Sequence, residues 1–129
     1  MFFPSFPPPL SYNSMMTIVA MIEDLLFRTK VEAAASRLGV PVTLAPDGPA
    51  AVQALRQAAA PLLLFVDLNH AGLDPLDAIR TVRRASPSAR IIGYYAHVRE
   101  ELRAQAAAAG CTEVLPRSAF VQRLPTLLA

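Results

Sequence analysis

From Met16 onward, short apolar runs rich in β-branched residues alternate with longer stretches of helical period. Few folds accept that alternation, and the simplest is a series of βα units on a parallel sheet. "TIVAMI" at 17–22 reads as the first strand. The stretch after it sets Phe27, Val31, Ala34, Ala35 and Leu38 on one helical face before Gly39 ends it. "PVTLA" at 41–45 is a weak second strand, and a helix from Pro49 to about Ala58 carries Ala51, Val52 and Leu55. "LLLFVD" at 62–67 is apolar without alternation, which predicts a central strand buried on both faces. Asp74 followed by Pro75 marks the start of a helix bearing Leu76, Ile79 and Val82. "RIIGYYA" and "EELRAQAAAAG" supply a fourth unit, and "TEVLP" with "SAFVQRLPTLL" a fifth, in which Pro125 should kink or shorten the last helix. Five βα units are too few for a closed barrel and predict an α/β fold, a doubly wound five-stranded parallel sheet with helices on both faces.

The chain has 129 residues, enough for one core. Apolar residues make up 53% and charged residues 17%, which excludes wholesale disorder, and no apolar run approaches the roughly 18 residues of a membrane span. The net charge of +2 comes from scattered arginines, too weak a balance to indicate nucleic acid. Cys111 is the lone cysteine, so one chain can build neither a disulfide framework nor a thiolate zinc cluster. These features predict a soluble, cytoplasmic protein that engages neither nucleic acid nor membrane, with Cys111 as a small buried hydrophobe.

Residues 1–15 stand apart. Their opening, "MFFPSFPPPLSYNS", has four prolines, no charge and no helical period, and the prolines interrupt any apolar stretch that a secretory signal would need. The segment reads as a proline-rich disordered tail, or as sequence upstream of a start at Met15 or Met16, ahead of a domain spanning 16–129.

In an open α/β sheet, ligands gather at the carboxyl ends of the strands where the strand order reverses. Asp67, Glu23, Asp24 and Tyr95 all lie at or just past such ends, and the fold predicts that they form one cluster.

At these residues the chain resembles a known family, the receiver domains of bacterial two-component response regulators, over about 110 residues from Thr17 to Leu127. "FVDLNHAGLDPL" is similar to the receiver segment that carries the phosphoacceptor, with Asp67 in the acceptor position and Asn69 where a backbone carbonyl helps hold magnesium. "AAAAGCTEVLPRSAF" is similar to the stretch leading into the last receiver strand. The resemblance implies a flavodoxin-like sheet of order 2-1-3-4-5, a possible magnesium ion held by Glu23, Asp67 and the Asn69 position, and a histidine kinase or downstream effector as partner.

The remaining receiver positions are altered. The acidic pair after the first strand falls on Ile22 and Glu23 without a gap, or on Glu23 and Asp24 if one residue is skipped; the helix face from Phe27 favours the ungapped register. Acidic residues there also suit a helix N-terminus with no metal. Tyr95, followed by Ala96, stands where the family has a threonine or serine. Arg117, followed by Ser118, replaces the lysine and proline, and a planar guanidinium does not substitute for a point-charge ammonium. Without that proline the usual reason for a cis bond is gone, and Ser118 is expected to cap the final helix. The pocket thus comprises Glu23, Asp24, Asn69, Tyr95, Ala96 and Arg117 around Asp67. The pattern implies a pseudo-receiver: a stand-alone signalling module acting by protein–protein interaction or as a homodimer, not an enzyme, with phosphorylation of Asp67 weak or absent and no output domain of its own. The alternatives are a working receiver phosphorylated at Asp67 with magnesium, and a small flavodoxin-like enzyme.

Other signals are weaker. His70 in "DLNHAG" reads as an exposed loop residue, and His97 follows the fourth strand. Two histidines and one cysteine on separate loops do not define a metal site, although a histidine can still sense pH. No catalytic serine, histidine and aspartate spacing and no phosphate-cradling glycine loop is present. Val98, Leu102, Tyr94 and Val114 mark the face that receivers often use for dimers, where only an unusually exposed patch would count as evidence.

Overall fold

The five apolar runs form five parallel strands, β1 (Thr17–Met21), β2 (Val42–Leu44), β3 (Leu62–Asp67), β4 (Arg90–Tyr95) and β5 (Glu113–Pro116). They are seen in a computed structural model that describes residues 17–57, 62–96 and 100–128. The proline-rich segment, His97 and Val98 lie outside the described residues. The strand order is β2-β1-β3-β4-β5, as the doubly wound reading requires.

β3 lies at the centre of the sheet, and Leu62 through Val66 are all buried. Successive side chains point to opposite faces, so Leu64 and Val66 enter one core while Leu63 and Phe65 enter the other. Helices α1 (Leu25–Arg37) and α5 (Arg117–Leu127) cover the second of these cores with Phe27, Val31, Phe120 and Leu124. Helices α2 (Gly48–Arg56), α3 (Pro75–Ala85) and α4 (Glu100–Ala109) cover the first with Ala51, Ile79, Val82 and Ala106. No described helix is long and apolar enough to cross a membrane.

Three aspartates begin three of the helices. Asp24, Asp47 and Asp74 cap α1, α2 and α3, and each side chain accepts a first-turn N–H; such a cap typically contributes about 1 kcal/mol. Just past the C-cap of α1 comes Gly39, whose φ of 70° few other residues tolerate. Leu38, expected on the buried face, is instead 41% exposed, because it is the C-cap and the chain has already left the helical path.

The last helix departs from expectation twice. Ser118 does not cap it: α5 starts at Arg117, two residues earlier than a Ser118 cap would start it, Pro116 is the N-cap, and no side chain bonds the first turn. Ser118 therefore sits inside the helix. Pro125 does not shorten α5, which runs on to Leu127; placed in the last turn and facing solvent, it removes one backbone bond only.

Arg83 fastens the layer on the α4 side. Its guanidinium donates to the carbonyls of Gly110, Ala89 and Pro87 at 2.7, 2.6 and 2.9 Å, joining the end of α3 to the entries of β4 and β5. Cys111 beside it packs on Gly93, and burial pushes its thiol up to about 11, which leaves it protonated and inert.

Candidate functional site at the carboxyl ends of the strands

The strand ends bring Glu23, Asp24, Asp67, Asn69, Ala96 and Arg117 to one edge of the sheet. Asp67 closes β3, and its Oδ1 accepts the Asn69 N–H at 2.9 Å. Burial raises its pKa above the ordinary carboxylate value and the Glu23 charge adds to the rise, while the Asn69 N–H, His70 and Arg117 act in the opposite direction. The result is a half-buried acid with a fixed backbone donor.

Asp24 carries two tasks. Its Oδ1 accepts the N–H groups of Leu26 and Phe27 at 2.9 and 3.2 Å, and its Oδ2 accepts Arg117 Nη2 at 2.9 Å. The Arg117 hydrogen bond is the main reason its pKa lies below the usual value, with the Phe27 N–H next. The same guanidinium lies 4.2 Å from the centre of the Phe27 ring, a cation–π contact. Arg117 is thus fastened at the start of α1.

Glu23 reaches the other way. Its Oε1 accepts the Ala71 N–H at 3.0 Å and stands 4.0 Å from His70 Nδ1, which itself accepts the Gly72 N–H at 2.9 Å. The expected exposed loop histidine is in fact largely enclosed, with its side chain 11% exposed. The loop folds back over it because Glu23 and Gly72 hold both sides, and a Cβ on Gly72 would stand 3.0 Å from His70 Cε1.

Asn69 acts through its side chain. Its Oδ1 accepts the Ala96 N–H at 2.7 Å, bridging the loops after β3 and β4.

Tyr95 does not join the acidic cluster. It is buried among the residues packed under α2, α3 and α4, on the face opposite Phe65. Its neighbour Tyr94, the strand partner of Asp67, points to the α1 and α5 side. There it stacks on Phe120 at 4.8 Å and tilts against Phe27 at 4.8 Å. Its buried hydroxyl has no hydrogen-bond partner among the described residues, and burial together with the nearby Asp67 and Asp24 charges drives its pKa far upward. Strand alternation puts Tyr94 and Tyr95 on opposite faces, and the register that pairs Tyr94 with Asp67 decides which of them shares its face.

The donor set does not fit the magnesium ion that the resemblance implies. Ile22 is 5% exposed and packed in the α1 and α5 core, so it offers no oxygen and leaves the ungapped acidic pair with one member. Glu23 is turned to Ala71 and Asp24 to Arg117. Among the described residues, no group of three or more His, Cys, Asp and Glu side chains could hold a metal ion. A hard cation needs several oxygens converging on one point. Here the carboxylates diverge.

No protein-family model matches the chain. No curated protein matches it either. Solved structures do. A response regulator from Thermotoga maritima is 21% identical with a TM-score of 0.70, covering 88% of this chain and 98% of that one. Chemotaxis response regulator CheY4 of Vibrio cholerae is 20% identical with a TM-score of 0.72, over 88% and 96%. A response regulator from Burkholderia pseudomallei, solved with a phosphorylated aspartic acid, a calcium ion and citrate, is 20% identical with a TM-score of 0.72, over 88% of this chain and 66% of that one. The chain therefore has the flavodoxin-like fold of response-regulator receiver domains.

Proposed function

We propose that the chain is a receiver-like signalling module that acts through contact with protein partners, with phosphorylation of Asp67 weak or absent. The observation that supports this most is how the groups around Asp67 are committed to one another. Stabilising a transferred phosphoryl group needs donors and cations preorganised toward its oxygens. Here the Asn69 N–H is bound to Asp67 itself, the Ala96 N–H to Asn69 Oδ1, the Ala71 N–H to Glu23, and Arg117 to Asp24. Each would have to leave its present partner before serving a phosphoryl oxygen.

In this reading Asp67 is a fixed element of the strand edge, and the signal passes by binding: to a histidine kinase, to a downstream effector, or to a second copy of the chain. No turnover is involved.

The test is intact mass measurement after incubation with a small phosphodonor and magnesium. Unchanged mass supports the proposal. A stoichiometric gain that disappears in Asp67→Asn sinks it and identifies a working receiver, in which Glu23 and Asn69 rearrange toward the metal.

A further inference from the structure

β2 is an open edge of the sheet, paired on one side only, to β1. The Ala45 N–H bonds the Ala20 carbonyl, and in a parallel ladder that alternation turns the N–H and C=O groups of Val42 and Leu44 outward. They have no hydrogen-bond partner among the described residues. Half-buried Val42 packs toward α1. By alternation Leu44, 39% exposed, stands on the same face, and exposed Thr43 on the face toward α2. The edge is thus apolar on one face and polar on the other.

The described chain begins beside this edge, at Thr17, and sixteen residues of sequence precede it. Thr17 is level with Pro41, because Ile18 pairs with Val42. It also lines a groove on the α2 side of β2, together with Pro41, Thr43, Ala54 and Gln57. A strand outside β2 would lie two strand spacings from Thr17, about 10 Å. Ser14, Met15 and Met16 can bridge that distance through the groove, since four chain steps reach up to about 14 Å.

The residues before Ser14 match the edge. Running antiparallel to β2 from Asn13, the sequence sets Tyr12 opposite Val42, Ser11 opposite Thr43 and Leu10 opposite Leu44. Apolar side chains then meet apolar ones on the α1 face, and hydroxyl meets hydroxyl on the other. Leu10 and Tyr12 keep the N–H groups that the outward carbonyls of Leu44 and Val42 require, while Pro7, Pro8 and Pro9 fall past the end of β2, where no ladder bond is needed. A slip of one residue would reverse the faces. Residues 1–16 hold no charged side chain that pairing would have to desolvate.

We propose that residues 10–13 of the chain itself close the β2 edge as a sixth, antiparallel strand. An antiparallel edge strand on an otherwise parallel sheet is a common arrangement, and it shuts the edge to a second chain. The pairing does not depend on whether Asp67 is phosphorylated.

The experiment is NMR of the full-length ¹³C,¹⁵N-labelled chain. We expect extended-strand carbon shifts over residues 10–13 and a nuclear Overhauser effect between the Hα protons of Ser11 and Thr43. Amide exchange at Val42 and Leu44 should be slow and unchanged on dilution. Tyr12→Pro removes one ladder donor and should speed exchange at Val42 and Leu44 by about tenfold or more, far beyond any change in β3. Three results would each overturn the proposal: random-coil shifts over residues 10–13, exchange at Val42 and Leu44 indifferent to Tyr12→Pro, or protection that is lost on dilution, which would put a second copy on the edge.

Discussion

Asn69 Oδ1 accepts the Ala96 backbone N–H at 2.7 Å, so one side chain joins the loop after β3 to the loop after β4 across 27 residues of sequence. The Asn69 N–H is meanwhile bound to Asp67. Asn69 therefore holds the acceptor strand's loop and its neighbour in one arrangement. Asn69→Ala should cost about 1 kcal/mol, the net worth of one ordinary hydrogen bond. Its specific signature is local: hydrogen exchange at the Ala96 amide should speed up more than exchange in β3. Equal acceleration at both would show only global destabilisation.

Much of this arrangement was legible in the residues, and the division follows the range of the interactions. "LLLFVD" forms a strand over its full extent because an unbroken apolar run needs no partner to declare that both its faces are buried. Asp74 and Pro75 start α3 because capping acts within a single turn. What was misread depends on distant contacts. His70 is enclosed by a bond from Glu23 to Ala71, 48 residues apart, and no local pattern encodes that closure. The two tyrosines that end β4 look alike in sequence; which one meets Asp67 is set by sheet register, which puts Tyr94 opposite Asp67. Ser118 is a local exception: Pro116 is the N-cap of α5, two residues before Ser118, with no polar side chain to announce the start.

Tyr94 buries a hydroxyl with no partner in the α1 and α5 core. A buried, unsatisfied polar group costs about 1–3 kcal/mol, and phenylalanine keeps the ring that stacks on Phe120. Tyr94→Phe should therefore stabilise the protein by about 1 kcal/mol in urea unfolding, with an unchanged m-value. A loss of stability would show that the hydroxyl has a partner in solution.

Arg83 donates through Nε, Nη1 and Nη2 to carbonyls that follow the C-terminal ends of α3 and α4. An ammonium has neither the planar fork nor the reach to meet Gly110 and Ala89 together. Arg83→Lys should cost about 2 kcal/mol despite conserving the charge. Arg84→Lys, at an exposed position in the same turn, should fall within about 0.5 kcal/mol of the parent. Equal effects of the two substitutions in thermal unfolding would remove Arg83 from this role.

The Arg117 bond to Asp24 makes a pH prediction of ordinary sign. Asp24 is depressed in the folded protein, so its contribution is present above the unfolded value of about 3.9 and is lost as pH falls through the folded one. Arg117→Met should lower the melting temperature at pH 7 and lower it by less once Asp24 is protonated in both states, when only the contact with Phe27 is lost. High salt should shrink the pH 7 difference, since the pair is partly exposed. The Asp24 carboxyl carbon, followed by NMR, should titrate at higher pH in the variant.

Asp67 carries the opposite sign. Burial raises its pKa in the folded state, so folding binds a proton there, and the stability linked to it is fully present below the unfolded value of about 3.9 and lost as pH rises through the folded one. At pH 7 the ionised carboxylate is a burden on the fold. Asp67→Asn removes that charge and keeps an oxygen that can accept the Asn69 N–H, which now meets Oδ1 at 2.9 Å. The variant should melt a few degrees above the parent at pH 7 and coincide with it below about pH 4. The gain is opposed by the lost attraction to His70 and Arg117, which are smaller influences than burial. A variant that is less stable at pH 7 would mean that the attractions to His70 and Arg117 outweigh desolvation, and that the site is tuned to keep Asp67 ionised.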